Sequence, residues 1–135
     1  MIEAGIKSHL SADVGVSAIV ASRIYPLIIP QHAAGEPTRM PCLVYTRIDS
    51  RRQQKFCGTD GLVRSVFQFD SYAVTFATSE ALAAATRASL IDFVGTMGTD
   101  TVKACFLDLQ FATTEPDPGL YRATQRFILW HDENP

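Results

Sequence analysis

The feature that most limits how this chain can fold is a two-residue alternation of side chains that recurs four times. In "CLVYTRIDSRR", residues 42–52, Cys42, Val44, Thr46 and Ile48 take one face while Leu43, Tyr45 and Arg47 take the other. "LVRSVFQFDSYAV", residues 62–74, sets Val63, Ser65, Phe67 and Phe69 against Arg64, Val66, Gln68 and Asp70. "TVKACFLDLQFATT" sets Cys105, Leu107, Leu109 and Phe111 against Ala104, Phe106, Asp108 and Gln110. In "LYRATQRFILWHD", Ala123, Phe127 and Leu129 share one face, and Ile128 and Trp130 the other. Successive side chains of an extended strand point to opposite faces, so each stretch predicts a strand. Apolar groups on both faces predict a sheet covered twice, by helices on one side and by a helix, connector or subunit on the other.

The first two strands read as a hairpin, with turn chemistry between Gly58 and Gly61. The segment before the turn, "RIDSRRQQK", is polar and basic, with Arg47, Arg51, Arg52 and Lys55 close together. If both strands run through it, the hairpin outlasts the body of the domain and becomes an arm that meets a partner, or else a flexible surface loop. The last two strands are joined by "EPDPG", a turn or short loop.

Helical spacing appears in two places. Ile2, Ile6 and Leu10 predict a short N-terminal helix that stops near Asp13 and Gly15, and "VSAIVASRIY" adds one or two turns that deliver Ile24 and Tyr25 to the core. "TSEALAAATRASLIDFVG", residues 78–95, is the main helix, capped by Thr78 or Ser79 and leaving at Gly95. Leu82, Thr86, Ser89, Leu90 and Phe93 face the sheet. Ala83, Ala84, Arg87, Ala88 and Ile91 face outward, a small-residue surface suited to a neighbouring chain.

Between the short helices and the first strand lies "SRIYPLIIPQHAAGEPTRMPCLVY", which holds four of the seven prolines. It is an extended, stiffened connector. The whole reads as one α+β domain over residues 1–135: an antiparallel sheet of about four strands, a main helix, a short N-terminal helix, the Pro-rich connector and a long β-hairpin.

Composition narrows the function. A net charge of -2 and a pI near 5.8 supply no general basic field for tight nonspecific binding to nucleic acid. The N-terminus lacks a signal peptide's pattern and no apolar run spans a membrane, which predicts a soluble protein. Cys42, Cys57 and Cys105 form no CxxC pair and read as reduced apolar fillers.

No enzymatic constellation emerges. "GTMGTD" lacks the Lys-Ser/Thr ending of a phosphate loop, and neither G-x-S-x-G nor H-E-x-x-H occurs. His9, His32 and His131 are scattered, and packing or solvent-exposed roles are expected for them. Asp70 and Asp108, on apolar strands, are expected to form salt bridges with Arg64, Arg122 or Arg126. No catalytic residue, metal or cofactor is predicted.

In order, "RIYP", the connector ending "MPCLVYTRI", "VFQFDSYAVTFATSEALAAATRASL" and the closing "GLYRATQRFILWHDE" resemble the phage tail-completion family, the head-tail joining or tail-terminator proteins of long-tailed phages and gene-transfer particles. The resemblance implies a non-enzymatic virion protein, assembled in the host cytoplasm, that forms a homo-oligomeric ring of six copies at the head-proximal end of the tail tube. Its implied partners are the tail tube protein and the head-closure or connector protein, with DNA only passing through the channel and no membrane involved. On the residue pattern, Pro30 and Pro37 of the strap, Arg51, Arg52, Gln53, Gln54 and Lys55 of the arm, and Ala84, Arg87, Ala88 and Ile91 of the helix are the candidate assembly residues. The alternatives are another neck component, such as a head-closure, stopper or minor tail protein, or a small cytosolic ligand-binding domain or enzyme with a pocket near Tyr25, Tyr72 and Trp130.

Overall fold

Ile2, Ile6 and Leu10 lie one turn apart, and in the computed structural model they form the buried stripe of helix α1 (Ile2–Ala12). The structure describes residues 2–21, 23–27, 41–55, 58–98, 100–115 and 120–132, and only the backbone of residues 53–55, 58–61, 115 and 120. Asp13 ends α1 and caps α2 (Val14–Val20), its Oδ1 accepting the Val16 N–H at 3.0 Å. β1 (Ile24–Pro26) follows and buries Ile24 completely.

The hairpin is as long as the alternation predicted. β2 (Cys42–Lys55) pairs antiparallel with β3 (Gly58–Ala73), from Cys42 opposite Tyr72 to Lys55 opposite Gly58. After α3 (Phe76–Leu90) come β4 (Gly95–Met97), β5 (Asp100–Glu115) and β6 (Leu120–Asp132). The sheet therefore has six strands where about four were expected, in the order β1-β2-β3-β6-β5-β4. It is mixed and not purely antiparallel, because β1 lies parallel to β2. Both additions are three-residue edge strands, too short to show any period.

The helices pack on one face. Phe67, Phe69 and Phe127 form its centre, with ring centroids 6.3 and 5.7 Å apart, among Leu43, Tyr45, Leu129, Ile6, Leu10, Leu82 and Leu90. Burying such side chains contributes roughly 1.5–3 kcal/mol each before entropy is counted. Gly5 is required where α1 meets β4: a Cβ there would overlap the Met97 carbonyl.

The main helix departs from its predicted limits. It begins at Phe76, capped by Thr75, whose Oγ1 accepts from the Thr78 N–H at 3.3 Å. Phe76 and Ala77 carry no polar start signal, which hid the first turn. It ends at Leu90, because Asp92 turns into left-handed backbone at φ 57 and sends its N–H to the Cys105 carbonyl. Ala83, expected outward, is fully buried, and Ser89, expected against the sheet, is half-buried with its hydroxyl 3.1 Å from His9.

Bulges also correct the face assignments. Register slips at Ile48 and again between Arg52 and Gln54 in β2, and at Lys103 and Asp108 in β5. Beyond a bulge every side chain changes face. Leu109 and Phe111 therefore leave the core face and are 43% and 42% exposed, while Gln110 takes the α3 side, where it stays exposed and accepts from Arg87 at 3.2 Å.

Candidate assembly interface

Where β2 leaves the body of the domain its charge is sorted by environment. Arg47, on the helix-covered face, pairs with Glu3 of α1 at 2.9 Å and lies 5.8 Å from the centre of the Phe67 ring. Past the bulge, Arg51 and Arg52 are exposed, with Arg51 3.9 Å from Asp49. Gln53, Gln54 and Lys55 continue the strand, so the backbone of the basic arm is β-structure paired with β3, with a register shift between Arg52 and Gln54. Pro30, Pro37 and most of the connector lie outside the described residues, as do His32 and Cys57.

The outer face of α3 presents Ala84 and Ala88 to solvent and Ile91 at 43% exposure, with Arg87 tied to Gln110. These residues stand away from the arm: α3 crosses β3, β6 and β5, whereas the arm is the far end of β2. Among the described residues, the predicted interface residues thus fall into two separate groups.

The sheet's second face is more polar than the alternation implied. Asp70, buried at its centre, accepts from Thr124 Oγ1 at 2.7 Å and from Gln68 Nε2 at 3.2 Å. Hydrogen bonds to uncharged neighbours therefore satisfy it, in place of the expected arginine salt bridge. Arg126 instead donates to Gln68 Oε1, and Arg122 to Thr113 Oγ1 and Tyr72 Oη. Beside this network the bulged β5 leaves Phe106, Leu109 and Phe111 exposed, an apolar row along the sheet margin. Phe106 also borders a shallow open depression lined by Asp92, Val94, Lys103, Ala104 and Cys105.

One arrangement escaped sequence reading. His131 Nε2 lies 2.8 Å from Ser65 Oγ, and its Nδ1 lies 3.3 Å from Asp100 Oδ2, an electrostatic approach and not an aligned hydrogen bond. The three residue types match those of a hydrolytic triad, but Ser65 is fully buried and Asp100 and His131 are each 2% exposed. A hydroxyl with no path to a substrate cannot act as a nucleophile. The row ties β3, β6 and β5 together; residues 65, 100 and 131 are too far apart in sequence to signal it.

Burial pushes the thiols of Cys42 and Cys105 up to about 12, offset slightly by Arg23 at Cys42 and reinforced by Asp92 at Cys105. Both are inert fillers at neutral pH. Among the described residues no group of His, Cys, Asp and Glu could hold a metal ion, and no helix is long and apolar enough to cross a membrane.

With this geometry in view, the family described as tail completion protein gp17 matches residues 4–132. No curated protein matches the chain. A chain from a solved structure of the virion of a native gene transfer agent (GTA) particle has a similar fold, with a TM-score of 0.71 and 19% identity over 95% of this chain and 92% of that one. At that identity the likeness is one of fold.

Proposed function

This chain belongs to the tail completion protein gp17 family, a family of virion structural proteins, and from that premise we propose that it terminates the tail. Six copies close into a ring on the head-proximal end of the tail tube, stop further tube growth and present a surface to the head connector, with DNA passing through the middle. The family match over residues 4–132 carries this reading. The similarity in fold to a chain of a GTA virion supports it. So does the distribution of surface features: a basic β arm and a small-residue helix face on separate sides suit a subunit with neighbours in more than one direction. Head-to-tail contacts that close give rings, and those that do not close give filaments.

The arm reaches an adjoining ring or the tube, the connector straps the sheet or the next subunit, and the outer face of α3 meets a neighbour. The protein acts by assembly and not by catalysis. Light scattering across a wide concentration range, with negative-stain images of the same fractions and of purified tail tubes mixed with the protein, tests the reading. Closed rings in solution or capped tube ends are expected. Tubes that stay uncapped and keep growing in the presence of a single-copy protein would overturn it.

A further inference from the structure

We propose that the core holds a structural water molecule, seated between the first half of α3 and the sheet and bound by Ser71, Gln125 and Ser79. Ser71 and Gln125 are completely buried, yet Ser71 Oγ and Gln125 Oε1 meet no hydrogen-bond partner in the protein. A buried hydroxyl or amide oxygen left in that state loses its solvation without return, so the great majority of such groups are satisfied by protein or by ordered water. These two are complementary: the hydroxyl has a proton to give, and the amide oxygen has lone pairs to receive one.

Register makes them neighbours. Phe67, Phe69 and Ser71 take alternate positions on the helix-covered face of β3, and Ala123, Gln125 and Phe127 do the same on β6. Ser71 lies directly across from Ala123, and Gln125 is two residues farther along β6, in the diagonal position. The amide is not free to swing down to the hydroxyl, because Gln125 Nε2 donates to the Ala83 carbonyl of α3 at 3.0 Å and so holds the side chain against the helix. Nor can the amide turn over, since Oε1 would then face the Ala83 carbonyl oxygen, acceptor against acceptor. Oε1 is thereby fixed as the atom that lacks a partner. Two hydrogen bonds of about 2.8 Å that meet at one water span roughly 4.5 Å, a reach suited to diagonal side chains.

The side chains at this end of the core are small. Farther up the sheet the space beneath the helices is filled by the rings of Phe67, Phe69 and Phe127. Around Ser71 the buried groups are Ala73 and Ala123 on the sheet and Ser79 and Ala83 on α3. α3 begins at Phe76, soon after β3 ends at Ala73, and Phe76 packs against Tyr121, which lies across from Ala73, so the first turns of α3 stand over the Ser71 end of the strand. Ser79 comes with them. Its Oγ donates to the Phe76 carbonyl at 3.1 Å and keeps lone pairs for a further bond. The water accepts from Ser71 Oγ and donates one proton to Gln125 Oε1 and the other to Ser79 Oγ, three bonds in all, as buried waters make on average. It joins β3, β6 and α3 directly beneath the helix whose outer face carries Ala84 and Ala88, and it helps to set how closely that face rides over the sheet.

Oxygen-17 magnetic relaxation dispersion of water, which detects internal molecules held for longer than the protein takes to tumble, tests the site in a single-copy or an assembled protein alike, so the outcome is independent of the ring reading. The wild type should show a long-lived water. Ser71→Val, whose methyl groups replace the hydroxyl and fill the site, should lose the amplitude of one molecule per chain, with circular dichroism showing that it is folded. Should that variant not fold, Ser71→Ala removes the donor with less disturbance and should shorten the residence of the water about tenfold. High-resolution electron density of the wild type should place the water within hydrogen-bond distance of Ser71 Oγ and Gln125 Oε1. A direct hydrogen bond from Ser71 to Gln125 in that density, or a dispersion that the folded variants leave unchanged, would overturn the site.

Discussion

Ser65 Oγ and His131 Nε2 stand 2.8 Å apart in the buried sheet, one on β3 and one on β6. Both residues are buried from water, and a hydroxyl left alone at this depth would lose its solvation without return. The Asp100 carboxylate on the far side of the imidazole extends the row to β5.

Ser65→Ala should therefore cost about 1–2 kcal/mol of stability, measured by urea unfolding, because the imidazole loses a partner it cannot replace with water. A loss indistinguishable from zero would show that His131 finds an equivalent partner.

Gly5→Ala should destabilise by about 1–3 kcal/mol despite alanine's better helix propensity, because the new methyl group must push α1 away from the β4 backbone. Thermal melting of the two proteins decides between packing and propensity. A higher melting temperature for the variant would show that the approach of α1 to β4 relaxes freely.

The buried thiols make stability fall at high pH. Their folded-state pKa values are raised from 9.0 to about 12 for Cys42 and Cys105, so the unfolded chain ionises first as the pH rises. The contribution is fully present below pH 9 and is lost between pH 9 and 12. In a Cys57→Ser background, Cys42→Ala with Cys105→Ala should flatten the fall in unfolding free energy between pH 8 and about 10. The same background should react with a thiol reagent at pH 8 only after denaturation; fast native labelling would show that the thiols are accessible.

Ala88→Glu on the outward face of α3 should leave the melting temperature within a degree or two, since the site is exposed, while hindering assembly if that face meets a neighbour. Replacing residues 53–61 with a tight turn should leave a folded protein that no longer joins heads to tails. Particle counts in an assembly mixture check both, and undiminished joining by either variant would free that surface of an assembly role.

Much of the fold was legible because strand alternation and helix periodicity are local properties. Phe67, Phe69, Phe127 and Leu129 declared their common face, and Ile2, Ile6 and Leu10 their helical stripe. The long hairpin was legible for the same reason, since apolar alternation and a glycine turn are read within thirty or so residues of each other. Leu109 and Phe111 were misread because a bulge depends on the partner strand: only the slip against β6 turns them outward. β1 and β4 were missed because three residues carry no period and become strands only by meeting a neighbour.

The sequence by itself determined the α+β class, most of the residues that build the core, and the long basic hairpin, since each follows from the spacing of neighbouring side chains. Tertiary structure alone decided the sheet order, the short strands β1 and β4 at its margins, and the joining of Ser65, His131 and Asp100. Those depend on pairings between residues tens of positions apart, whose register is set by the packing of the whole sheet and by no stretch of it alone.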